Sequence, residues 1–358
     1  MDIKKILIFN PFGIGDVLFT TPLVRNLHNN FKNASLSYIS SLRTHPIIAD
    51  NVFLDNVFIF EKDEWRNVAA KSKLGFVKKA LSFFNLIKKE RFDVVFDLSL
   101  NAQYGFFLKC CGIKTRIGYN FKNRGRFLTH KINIPGGFSN KHMARYYLDL
   151  LKFLDITTKD YKFDLFLPEQ DAKKGKTMME REGLQKNDLL IGVCPGSGDS
   201  WGKSAQFKHW PAGYFLELCE RLAKNLKAKI ILLGSKSESA LCEHITDRIN
   251  TEVINLCGKI SLKEFCAVTA NLRLLITNDG GPFHIAQALG VNGLAFFGPV
   301  DEKTYGTYPE NDNFITLAKK LDCRPCYRRF KIKDCAIDKK CLRDISVDEA
   351  FEAVKKLI

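Results

Sequence analysis

With 358 residues the chain is too long for one ordinary α/β core and suits two domains. Hydrophobic residues make up 46% and charged residues 26%, the mix of a globular protein with a sizeable core, which excludes a disordered chain. The 55 Lys and Arg against 39 Asp and Glu leave a net charge of +16, a field that favours polyanions: nucleic acid, an anionic membrane face or a phosphorylated substrate. Apolar runs stop short of the roughly 18 residues a membrane span needs. Met1-Asp2-Ile3-Lys4-Lys5 leads into a strand with no signal-peptide pattern, so a cytoplasmic protein is expected.

Residues 6–10 form a buried-strand run, followed by Pro11-Phe12-Gly13-Ile14-Gly15-Asp16 and a helical pattern through Leu18, Leu23 and Leu27. Strand, glycine turn and helix in that order open a Rossmann-like unit. A dinucleotide fingerprint would place a third glycine where Leu18 stands and an acid where Ser40 and Ser41 stand, so a nicotinamide cofactor is not expected. Further strands are expected over residues 36–39, 56–60, 93–98 and 116–119, with helices between some of them, which implies a parallel, doubly wound sheet.

Residues 71–90 carry Leu74, Val77, Leu81 and Phe84 at helical spacing, with Phe76, Ala80, Phe83 and Ile87 beside them and lysines elsewhere. A core-facing helix with a solvated basic side is expected, the other reading being a helix on a membrane surface. In residues 114–131, Lys114, Arg116, Lys122, Arg124, Arg126 and Lys131 interleave with Tyr119, Phe121 and Phe127, the composition of an anion-contacting loop or of a solvated surface. No helix-turn-helix, zinc-finger or RNP-type pattern accompanies it, so nucleic acid is not the expected partner.

Residues 168–188 are polar and lysine-rich and read as a linker with a helix leading into a second domain. The architecture then restarts: a strand over 189–194, the turn Pro195-Gly196-Ser197-Gly198, a helix over 211–226, and strands over 229–233, 252–256, 272–277 and 293–297. The expected division is 1–168, 169–335 and a tail over 336–358. Two doubly wound domains facing across a cleft bind ligands outside the carboxyl ends of their strands, where residues 13–16, 196–204, 234–238 and 279–284 lie.

The most informative stretch is Asn278-Asp279-Gly280-Gly281-Pro282-Phe283-His284-Ile285-Ala286, which reads as strand, tight turn and helix. Its glycines let backbone approach a ligand, and Pro282 suits the first helical turn, where its missing N–H costs nothing. The helix N-terminus this creates is a ready diphosphate site. The plainer alternative has Asp279 as a helix cap and His284 as a satisfied polar residue. Near the C-terminus Cys323-Arg324-Pro325-Cys326 is followed by Cys335 and Cys341, the ligand inventory of a structural zinc site. Their irregular spacing favours reduced thiols or a disulfide that packs the tail. Cys194, Cys219, Cys257 and Cys266 sit in apolar surroundings and read as small buried hydrophobes.

Taken together, Gly13-Ile14-Gly15-Asp16-Val17, Lys208-His209-Trp210-Pro211, Gly234 followed by Glu238, Asp279-Gly280-Gly281-Pro282-Phe283-His284 and Phe296-Phe297-Gly298-Pro299 resemble glycosyltransferase family 9, which contains the ADP-heptose:lipopolysaccharide heptosyltransferases. The resemblance implies a GT-B architecture with an N-terminal acceptor domain, a C-terminal nucleotide-sugar domain and a last helix that crosses back. It makes Asp16 the catalytic base, Lys208 the contact to the donor phosphates, Glu238 the contact to the ribose, and Asp279, Gly281 and His284 the donor-site turn, with Ser204 and Gly280 beside them. Gly13, Gly15, Arg124 and Arg126 are expected to face the acceptor or its phosphates. At position 280 the best-known heptosyltransferases carry a hydroxyl residue, and this chain carries Gly280.

The implied reaction is inverting transfer from ADP-heptose or another nucleotide-sugar to the lipopolysaccharide inner core or a related surface glycan, at the cytoplasmic face of the inner membrane, with no cofactor required. Such transfer needs a base for the acceptor hydroxyl and stabilisation of the leaving diphosphate. No Asp-x-Asp metal-binding pair occurs in the chain, and Lys208 with helix N-termini can supply the positive charge instead. Asp16 at a helix start is favoured as a carboxylate, which makes it a modest base and leaves a capping role open. A nucleotide-sugar epimerase or hydrolase on the same scaffold is the alternative.

Overall fold

A computed structural model describes residues 3–185 and 187–358; Met1 and Asp2, at the expected N-terminal lead, and Lys186, in the expected linker, lie outside the described residues. Among the described residues twelve strands build two sheets. The first holds β1 (Lys5–Phe9), β2 (Ser35–Ser40), β3 (Asn56–Ile59), β4 (Val94–Asp97), β5 (Thr115–Asn120) and β6 (His130–Asn133), in the order β3-β2-β1-β4-β5-β6. The second holds β7 (Leu190–Cys194), β8 (Lys229–Leu232), β9 (Val253–Asn255), β10 (Leu274–Asn278), β11 (Asn292–Phe297) and β12 (Phe314–Ala318), in the order β12-β11-β10-β7-β8-β9. Every pairing is parallel.

Both sheets therefore have the doubly wound order, and each reverses direction once: between β1 and β4 in the first, between β7 and β10 in the second. The strands at these reversals are continuous apolar runs because helices cover both faces. Ile6, Leu7 and Ile8 in β1 and Ile191 and Val193 in β7 are fully buried.

The chain forms two compact units, one of Met1–Phe138 with Met143–Phe166 and a second of Ser139–His142 with Leu167–Ile358. The expected entering helix spans Glu169–Arg181. The tail belongs to the second unit. Its last helix, Val347–Leu357, starts with a reciprocal cap, in which Ser346 N–H donates to Glu349 Oε2 (2.8 Å) and Glu349 N–H to Ser346 Oγ (3.2 Å). The helix places Ala350, Val354 and Leu357 in one core with Phe215, Leu218 and Phe296. That is where the apolar face of a segment expected to cross back toward the first domain is buried.

Two other expectations change. Residues 114–131 are only partly loop, since β5 and the start of β6 occupy both ends. The helix Lys73–Glu90 forms, but among its described side chains only Ile87 is fully inside; Phe83 and Phe84 pack partly, while Leu74 (80% exposed), Val77, Leu81 and Leu86 face outward, and the Phe76 side chain lies outside the description. Helical spacing identified the apolar stripe and could not say that Leu74, Val77 and Leu81 on it would be left exposed.

Candidate functional site

The second sheet's reversal is held together by one side chain. Asn278, the last residue of β10 and fully buried, donates through Nδ2 to Pro195 O (2.7 Å) and Gly196 O (3.0 Å), while its Oδ1 accepts from Trp210 N–H (2.8 Å). It thereby ties the glycine turn after β7 and the segment carrying Lys208 to the end of β10. Trp210 is itself locked, with Nε1–H on Ile345 O (2.9 Å) and its ring stacked on Phe296 at 4.1 Å. Sequence reading gave Asn278 no role, although a polar residue closing an otherwise apolar strand was the available signal.

Beside this clamp Lys208 Nζ lies 2.8 Å from Asp279 Oδ2, with side-chain exposures of 2% and 6%. The approach is an ion pair without hydrogen-bond alignment at Asp279 Oδ2. Burying two charges is costly unless they meet, so this pair fixes both side chains at the start of the helix Gly281–Leu289. Gly280 is extended (φ 171°), a conformation any residue adopts, so the glycine is there for space: a Cβ would lie 3.0 Å from Ser197 O. A hydroxyl residue at this position would press on the turn after β7.

His284 follows on the first turn, 3% exposed, next to Gln287 Nε2 at 3.2 Å. Burial above all, and then His142 and Lys208, push its pKa well below the ordinary value, so the ring is neutral at physiological pH. His142 was not anticipated; a lone histidine carries no signal. It clusters with the second unit, where its Nε2–H donates to Gly306 O (3.3 Å) and its ring stacks on Tyr308 at 4.6 Å and 7°.

Glu238 reaches the same turn from the end of β8. Its Oε1 accepts from Gly198 N–H (2.8 Å) and its Oε2 from Ser235 N–H (2.8 Å) and Ser235 Oγ–H (2.9 Å). Gly196 leaves room for this carboxylate, because a Cβ there would fall 1.7 Å from Glu238 Oε1 and displace it. Ser204 lies half-buried on the Asp199–Lys208 segment ahead of Lys208. The structure thus gathers Lys208, Asp279, Gly280, Gly281 and His284 around one helix N-terminus, with Glu238 across the glycine turn.

In the first unit the turn after β1 carries the other expected residues. Gly13 precedes the helix Ile14–Asn30, and Gly15 and Asp16 lie in its first turn, all half-buried. Asn10 shapes this turn, its Nδ2–H donating to Asp16 O (3.0 Å) and its Oδ1 accepting from Phe12 N–H (3.3 Å). At the end of β4, buried Asp97 accepts from Ser99 N–H (3.1 Å) and Ser99 Oγ–H (2.5 Å); burial pushes its pKa up to about 6. Arg124 and Arg126 are exposed, Arg126 5.1 Å over the Phe127 ring, and among the described residues neither hydrogen-bonds toward the Asp16 turn. Arg116 is a structural tie, its guanidinium on the carbonyls of Phe127, Ile113 and Lys114.

The C-terminal cysteines are free thiols. Arg324, between the first two, binds the carbonyls of Gly298, Lys319 and Val300 and the carboxylate of Glu302, pinning this loop to the ends of β11 and β12. Cys326 has its pKa raised to about 11, chiefly by burial and then by the neighbouring thiols. Among the described residues no three or more His, Cys, Asp or Glu are arranged to hold a metal ion. Cys194, Cys219, Cys257 and Cys266 are buried, as expected.

Residues 80–337 match the profile described as glycosyltransferase family 9 (heptosyltransferase). Lipooligosaccharide heptosyltransferase 2 of Campylobacter jejuni (serotype O:6) is 28% identical over 99% of both chains. Among solved structures, the glycosyl transferase family 9 protein of Veillonella parvula superposes with a TM-score of 0.80 at 23% identity, covering 100% of this chain and 98% of that one. The ADP-heptose lps heptosyltransferase II of Escherichia coli gives 0.76 at 19% identity, covering 99% and 98%. These structural likenesses bear on the fold, and they bear out the expected GT-B class of two Rossmann-like sheets. The match over well more than half its length places the chain in glycosyltransferase family 9, and the protein is a glycosyltransferase.

Proposed function

We propose that the protein is an inverting, metal-independent heptosyltransferase that moves a heptose from ADP-heptose to the lipopolysaccharide inner core or a related surface glycan. The observation that carries the donor half is the buried Lys208–Asp279 pair at the N-terminus of Gly281–Leu289. Helix N–H groups, Lys208 and the His284 ring there offer positive charge and hydrogen-bond donors to a diphosphate. The names of the Campylobacter and Escherichia relatives support heptose as the sugar and ADP as the carrier.

In the proposed reaction the acceptor hydroxyl attacks the anomeric carbon while Asp16 takes its proton. The bond from that carbon to the diphosphate oxygen breaks with inversion, and ADP leaves with its developing charge held by Lys208 and the helix end. Asp279 keeps Lys208 in place. Glu238, its carboxylate fixed at the glycine turn, faces the ribose. Arg124 and Arg126 offer exposed guanidinium groups to a phosphorylated acceptor.

Incubation with ADP-heptose, UDP-sugars and GDP-sugars, with and without truncated core lipid and with EDTA, tests this reading. Transfer from ADP-heptose that needs the lipid and survives EDTA is expected. Free sugar or an epimer formed without lipid would establish the hydrolase or epimerase, and activity lost to EDTA and restored by magnesium would refute metal independence.

The acceptor's membrane is the proposed docking surface. No helix among the described residues is long and apolar enough to cross a membrane. The exposed Leu74, Val77 and Leu81, flanked by exposed Lys73, Lys78, Lys88 and Lys89, support a peripheral attachment to anionic lipid. Binding to anionic vesicles should fall steeply as salt screens charges beyond about 8 Å, and Leu81→Glu should weaken what remains. Salt-independent binding would instead indicate insertion of the apolar stripe alone.

A further inference from the structure

Gln287 stands one helical turn after His284, on the same helix face. Its amide is held at both ends by backbone. Oε1 accepts from Tyr308 N–H at 3.0 Å, and Nε2 donates to Gly306 O at 3.4 Å. The oxygen must face the N–H and the NH₂ must face the carbonyl, so the chain itself fixes which way this amide points. The loop providing both partners is clamped in turn by His142, which donates to Gly306 O and stacks on Tyr308.

That orientation decides the state of the neighbouring ring. Gln287 Nε2 lies 3.2 Å from His284 Nδ1, and an amide NH₂ only donates, so Nδ1 must accept. A neutral imidazole has one ring proton, which is then on Nε2. We infer that Gln287 is a positioning residue that fixes His284 as a neutral Nε2–H donor toward the leaving diphosphate, an inference that rests on the proposed donor site.

The consequence for the reaction is direct. In the opposite tautomer the ring would turn a lone pair, not a proton, toward a phosphate oxygen. A doubly protonated ring would place a second cation beside Lys208 in a buried site, where Asp279 is already paired with that lysine. A neutral donor strengthens as charge develops on the diphosphate and needs no burial of a further charge. Facing His284 are Gln287 on its own helix, His142 from the segment that joins this unit, and Lys208 from the segment after β7, itself paired with Asp279.

Nitrogen-15 NMR of the imidazole nitrogens in the full-length protein and in Gln287→Glu, each with and without ADP, tests the inference. In Gln287→Glu one carboxylate oxygen still meets Tyr308 N–H while the other faces Nδ1, which removes the donor and adds a negative charge. Wild type should show His284 protonated on Nε2 alone across the neutral range. The variant should show Nδ1 protonated, with a ring pKa raised by roughly 1 to 3 pH units and a turnover that becomes pH-dependent. A wild-type ring protonated on Nδ1, or the same ring signals in both proteins, would overturn it. If the tautomer is as stated but ADP leaves the wild-type His284 signals unmoved, the donor-site reading fails and the role toward the diphosphate fails with it.

Discussion

The two sheets share one strand order, yet their points of reversal are built differently. In the second unit Asn278 joins three separate segments, Glu238 ties its own loop to the same glycine turn, and Gln287 fixes a ring one turn into the helix. In the first unit Asn10 bonds Phe12 and Asp16 in its own loop and reaches Tyr38 and Ile39 of β2, while Asp97 bonds Ser99. A diphosphate leaving group rewards donors that are in place before charge develops, since they cost no reorganisation in the transition state. An acceptor hydroxyl requires one base and room for a varied glycan. In the proposed reaction the more cross-tied reversal of the second unit would hold the donor and the turn of the first unit the acceptor.

The contrast is most sharply broken by separating the two halves. Asp16→Asn should lower transfer by about 10²- to 10⁴-fold while ADP affinity, measured by calorimetry, stays near wild type, because in the proposed reaction this carboxylate acts on the acceptor. Weakened ADP binding with unchanged turnover would remove Asp16 from the role of base.

Next in size is the clamp. Asn278→Leu strands two buried carbonyls and one N–H, and unfolding in denaturant should show a loss of roughly 2–4 kcal/mol with ADP binding impaired at ordinary temperature. Wild-type stability would mean that the three segments are held by packing alone.

A smaller effect concerns the first unit. Asp97 has a folded pKa of about 6 against an ordinary 3.8, so the folded protein binds its proton more tightly than the unfolded chain. The contribution of Asp97 to stability is therefore most favourable below the unfolded value and falls as pH rises toward 6, with the full penalty present above that. Asp97→Asn should raise stability at neutral pH by roughly 1–3 kcal/mol, and the gain should vanish below about pH 4. A gain that persists in acid would assign it to packing and not to charge.

Most of the fold was legible because buried parallel strands are apolar runs punctuated by glycine turns. The two missed strands are both at sheet edges, where that signal fades: β6, His130-Lys131-Ile132-Asn133, alternates half-buried and exposed, and β12 is only half-buried throughout. The glycine turns at Gly13, Gly196 and Gly280 marked the right strand ends, because close backbone approach leaves its trace in residue type. Asn278 and Gln287 escaped because their roles depend on atoms brought from Pro195, Trp210, Gly306 and Tyr308, which no local spacing reveals. Leu74, Val77 and Leu81 show the converse: a helical stripe was plain, but what it faces is a property of its surroundings.

The central claim is that the second unit holds the donor diphosphate at Lys208 and the N-terminus of Gly281–Leu289. Calorimetric titration of ADP against wild type and Lys208→Ala, alongside steady-state transfer, tests it most directly. The account predicts weaker ADP binding together with a turnover lowered by about 10²- to 10³-fold, because the charge on the leaving diphosphate exceeds that of the ground state. ADP binding and turnover both unchanged in Lys208→Ala would contradict it.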